Sequence, residues 1–89
     1  MPLVAFDCIT GDGPESVQIS ELAAIGLTKL RHAGYRLGLR QPEGIIYLTC
    51  PDPSDPMRAL YPFRLYLEDG QSISEGVEDL VHWAIVMMF

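Results

Sequence analysis

Few residues able to do chemistry stand at spacings that would let them do it. Cys8, His32, Cys50 and His82 are the softer metal donors of the chain, yet none of the short paired spacings of a zinc site is present. Two core thiols and two surface histidines are the expectation. Asp7 and Asp12 lack the alternating oxygen ligands of a calcium loop, because Ile9 and Gly11 occupy the intervening positions. No serine or cysteine sits in a nucleophile motif, and no glycine-rich phosphate loop occurs. The sequence points to a protein that is not an enzyme, with no catalytic residue, metal or cofactor.

One constellation has a recognisable use. If Leu37, Leu39, Leu48, Leu65 and Leu67 face a core, the opposite sheet face shows Arg36, Arg40, Tyr47, Arg64 and Tyr66. Arginines interleaved with tyrosines suit stacked single-stranded nucleic acid, and equally an acidic protein surface. A solvated face with Arg–Tyr stacking is the plainer use of the same residues. The formal net charge of −6 favours a protein partner over nucleic acid or an anionic membrane.

A second candidate surface lies in Glu75 to Phe89. Val77, Leu80, Val81, Ala84, Ile85 and Met88 fall at steps of three and four, one stripe of an α-helix. Trp83, Val86 and Met87 form another apolar set beside it, so the last two turns are apolar nearly all round. Such a helix needs cover beyond its own sheet. Trp83, Met87 and Phe89 are therefore expected to touch a partner, possible occupants being a larger protein or a second copy in a homodimer. Glu75, Glu78 and Asp79 open the same helix and suit its positive end.

The elements that position these residues are read as strand, helix, strand, strand, strand, helix. Leu3 to Ile9 is an apolar run expected to be a strand. Asp12 with Pro14 and Glu15 reads as a capped helix start, with the stripe at Ile19, Leu22, Ala23, Gly26, Leu27 and Leu30. A start as late as Ser20 is the other reading. Gly34 stands where a left-handed C-terminal residue is wanted. Tyr35 to Arg40 and Ile45 to Cys50 alternate with period two around Gln41-Pro42-Glu43-Gly44, a hairpin. Pro51 to Pro56 is expected to be a stiff loop without ladder bonding, followed by one helical turn through Leu60. Phe63 to Leu67 is the last strand, and Ser72 with Glu75, or Ser74 alone, caps the last helix. The expected fold class is α+β: a single domain over residues 1–89, with a small antiparallel sheet and both helices on one face.

The order helix, three strands, helix is similar to that of double-stranded-RNA-binding domains. In that family a lysine-rich start of the second helix grips phosphates. Here Glu75, Glu78 and Asp79 hold the matching positions and would repel them, so only the shape carries over. Val4-Ala5-Phe6-Asp7 and Gly11-Asp12-Gly13-Pro14-Glu15 resemble the start of the bacterial phosphate acyltransferase of phospholipid synthesis, over one short segment that carries no catalytic residue.

Charge is segregated along the chain. Residues 29–64 hold all six bases against three acids, whereas the flanking stretches hold nine acids and no base. Met1-Pro2-Leu3-Val4 has no basic start, and the longest apolar run falls far short of the ~20 residues of a membrane span. A cytoplasmic protein is expected. In format the chain looks like the small inhibitors that phages and mobile elements make against host machinery, anti-CRISPR proteins among them. That resemblance implies a non-catalytic module occupying a larger, nucleic-acid-handling host protein. Its acidic ends (Asp12, Glu15, Glu21, Glu75, Glu78 and Asp79) would imitate a nucleic-acid backbone. The alternative is a nucleic-acid binder using the Arg/Tyr face.

Overall fold

A computed structural model describes residues 2–89. The chain runs β1 (Leu3–Thr10), β2 (Gly13–Ser20), α1 (Glu21–His32), β3 (Arg36–Arg40), β4 (Ile45–Asp52), β5 (Asp55–Tyr66) and α2 (Ile73–Met88). The strands form one sheet in the order β2-β1-β3-β4-β5. Neighbours are antiparallel except β1 and β3, which run parallel with Ile9 opposite Gly38. The α+β class stands, and the sheet is mixed rather than antiparallel.

The segment expected to open the first helix is a strand. Val17 and Ile19 are buried while Ser16 and Gln18 are exposed, a period of two that pairs β2 with β1 in full register. Asp12, Pro14 and Glu15 thus belong to the β1–β2 hairpin. Pro14 is tolerated because β2 is an edge strand. The helix starts at the later of the two positions read from sequence: Ser20 is its N-cap, and the Ser20 hydroxyl accepts the Ala23 N–H at 3.2 Å. The order α1-β3-β4-β5-α2 follows as expected, with the hairpin added in front of it.

The proline-rich stretch also departs from expectation. β4 continues to Asp52 and β5 begins at Asp55, with Asp52 opposite Asp55 and Pro51 opposite Ala59. No helical turn forms before Leu60. This arm has no strand beyond β5 to demand N–H donors, so its prolines cost no ladder bond there. At its tip the Ser54 N–H and hydroxyl both donate to Asp52 Oδ1, at 2.9 and 2.8 Å, and hold that carboxyl below its usual range.

Both helices cover one face of the sheet. Ile19, Leu30, Ile46, Leu48, Val77 and Leu80 are sealed between the layers, each contributing roughly 1.5–3 kcal/mol relative to an exposed side chain. Gly26 of α1 lets Val81 and Ile85 of α2 approach closely. Ser72 and Glu75 form the expected capping box, which fixes the start of α2. No helix among the described residues is long and apolar enough to cross a membrane.

Candidate binding face

The hairpin register decides which side chains leave the core. Leu37 and Leu39 pair with Leu48 and Ile46 on the inner face. The residues between them, Arg36, Gly38 and Arg40, therefore point outward opposite Thr49, Tyr47 and Ile45. On β5, Arg64 stands opposite Tyr47, and Tyr66 opposite Ile45. The sequence-derived set Arg36, Arg40, Tyr47, Arg64 and Tyr66 thus shares one face, which no helix or strand among the described residues covers.

Tyr61 joins them and was missed in the sequence, where it fell next to the supposed helical turn. The register shifts between Leu48–Phe63 and Cys50–Leu60, so β5 carries one extra residue around Tyr61-Pro62. That irregularity brings Tyr61 to the outer side. Its ring meets Tyr47 edge to face, with centroids 5.3 Å apart and planes at 75°. Pro62, which cannot donate to a ladder, was the available signal for a break in strand pairing.

Gly38 sets the height of this surface. A Cβ built there would collide with the Tyr47 ring, so the ring rests against the backbone that the glycine leaves bare. Arg40, Ile45, Tyr47, Tyr61 and Arg64 then line an open depression of about 230 Å³. Burial, then the neighbouring Tyr61, pushes the Tyr47 hydroxyl above its ordinary pKa, with Arg40 pulling the other way. Tyr47 remains a neutral donor at physiological pH beside two guanidinium groups.

The other sequence-derived residues lie elsewhere. Glu75, Glu78 and Asp79 are exposed on the first turns of α2, on the helical side of the molecule. Two of them have internal work: Glu75 closes the capping box, and Asp79 Oδ2 accepts from Gln71 Nε2 at 2.9 Å. Trp83 packs edge to face on Phe63 of β5, centroids 5.0 Å apart at 89°, and remains 39% exposed. Met87 and Phe89 are open to solvent, each 67% exposed. The structure does not bring these residues to the Arg/Tyr face.

Arg31 stacks on Phe6 at 4.7 Å. Both cysteines are free thiols, Cys8 buried in β1 and Cys50 half-buried in β4. Among the described residues no three His, Cys, Asp or Glu side chains gather in a metal-binding cluster. Comparison of the chain with protein-family models, with curated proteins and with solved structures finds no match.

Proposed function

We propose that this chain is a small non-catalytic protein-binding module that acts by occupying an acidic surface of a larger protein. The observation that carries this reading is the open sheet face, where Arg40 and Arg64 meet Tyr47 and Tyr61 around one depression, with Arg36 and Tyr66 on the same face outside it. Tyrosine and arginine are the residues that dominate protein interfaces, because each offers a rigid plane with polar edges. An inhibitor of a nucleic-acid-handling host protein, of the phage or mobile-element anti-defence type, is the proposed physiological setting. The net charge of −6 favours such a protein over nucleic acid itself as the ligand.

The test is a tagged pull-down from lysate of the source cell, with and without nuclease, run beside Arg36→Ala/Arg40→Ala/Arg64→Ala. A stoichiometric protein retained through nuclease and lost with the triple variant is the expected result. Retention by the triple variant would exclude the sheet face. Nucleic acid alone, with affinity falling steeply with salt, would favour the second reading, a nucleic-acid binder stacking bases on the same tyrosines. Leu22 and Ala23 of α1 and Val81 and Ile85 of α2 line a shallow groove beside exposed Val86 and Phe89, and a second copy is its proposed cover, since each copy would offer the same groove and the same protruding side chains.

A further inference from the structure

The depression on the sheet face is not isolated. It shares Arg40 and Tyr47 with a second hollow of about 360 Å³, which also touches Thr10, Gly11, Gln41 and Glu43. That hollow shares Thr10, Gly11, Leu39 and Gln41 with a third, of about 220 Å³, closed by Asp12 and Glu15. Their shared lining residues set the three side by side, from β5 over the end of the sheet to the β1–β2 turn, as segments of one path. Thr10 keeps that turn in place, its hydroxyl donating to the Gly13 carbonyl at 2.6 Å while accepting the Asp12 N–H at 3.2 Å.

The groove is graded in charge. Arg64 and Arg40 stand at one end, Asp12 and Glu15 at the other, and Glu43 between them. From β5 to β1 the path crosses three strand spacings, about 14 Å, which an extended chain covers in roughly four or five residues. A polynucleotide carries one sign of charge along its length, so the acidic end would oppose it. A peptide segment with an acid at one end and a base at the other meets both ends favourably.

Resting on the binding-module reading above, we infer that this groove takes one extended partner segment, with an acidic side chain between Arg40 and Arg64 and a basic one at Asp12 and Glu15 about four residues away. The charge gradient makes recognition directional. Tyr47, resting against Gly38, lines the first two hollows, and Thr10, Gly11 and Gln41 carry the path on to the acidic end.

The probes are end-blocked pentapeptides followed by amide chemical-shift mapping on the isotope-labelled protein: Glu-Gly-Gly-Gly-Lys, its reverse Lys-Gly-Gly-Gly-Glu, and Glu-Gly-Gly-Gly-Glu. One of the two mixed peptides should shift signals from Arg64 through Tyr47 to Asp12. It should also bind about fivefold tighter than the di-acid peptide, as two surface charge pairs warrant. Asp12→Lys/Glu15→Lys should reverse that preference, and Gly38→Ala, which lifts the Tyr47 ring, should weaken every peptide. Shifts confined to the Arg/Tyr end, with all peptides equal, would overturn the directional groove and leave the sheet-face reading intact. No shift at millimolar peptide, or tighter binding of an oligothymidylate, would overturn both.

Discussion

Removing the Trp83 side chain takes away the edge-to-face contact with Phe63 as well as a half-exposed apolar surface. Trp83→Ala is therefore predicted to cost about 2 kcal/mol in urea unfolding, below the roughly 3–5 kcal/mol of a sealed aromatic. An unchanged midpoint would leave Trp83 to a partner alone. Cys8 makes a second residue-scale prediction. Burial, then the Glu15 carboxylate, pushes its thiol from 9.0 up to about 11. The folded value lies above the unfolded one, so its contribution to stability is whole below about pH 9 and is lost as pH rises towards about 11. Tyr47 adds a loss of the same sign above its ordinary 10.0, so the comparison belongs to the interval between 9 and 10. Cys8→Ala should flatten the decline there. Iodoacetamide at pH 8 should alkylate only Cys50 in the folded protein, and both thiols in denaturant; two adducts on the native chain would contradict the burial of Cys8. At this scale the Arg/Tyr set was legible because period-two alternation needs only neighbouring residues. Tyr61 was not, because its direction depends on a register shift between strands ten residues apart in sequence.

At the scale of elements, the two helix caps should differ in cost. Ser20 is 4% exposed and its hydroxyl satisfies a buried N–H, whereas Ser72 is exposed and water can replace it. Ser20→Ala is predicted to cost about 1–2 kcal/mol and Ser72→Ala about 0.5–1 kcal/mol, measured by thermal or urea unfolding. Equal losses would mean that the surrounding burial does not matter. The β3–β4 hairpin, the last strand and α2 were legible in the sequence, since each has its own period and its own turn or cap. The β1–β2 hairpin was hidden. Ile19 is the last inward residue of β2 and Ala23 the first of α1, and Ser20 both ends the strand and caps the helix, so the apolar positions imitate one continuous stripe. Leu22, which the stripe would bury, is 71% exposed.

Across the whole molecule, the two layers differ in chemistry. The sheet presents arginines and tyrosines, and the helical layer presents acids at the start of α2 with Leu22, Ile25, Val86 and Phe89 exposed. If a second copy covers that apolar surface, sedimentation velocity should show a monomer–dimer equilibrium at rising concentration. Val86→Glu/Phe89→Glu should weaken it at least about tenfold, the equivalent of roughly 1.4 kcal/mol. A species of monomer mass at every concentration would rule the dimer out.

The two rims of the sheet are unequal. Beyond Pro14, β2 runs to Ser20 without a proline or a base, whereas β5 is broken by Pro56, Pro62 and two register shifts and carries Arg58 and Arg64. Growth of a filament by edge addition needs both rims, one to give and one to receive. With β5 spoiled, edge-to-edge pairing of two sheets is left to rim β2 against rim β2, and that pairing consumes both free edges. The unequal rims thus predict that sheet extension, if it occurs, ends at a pair rather than growing into a filament.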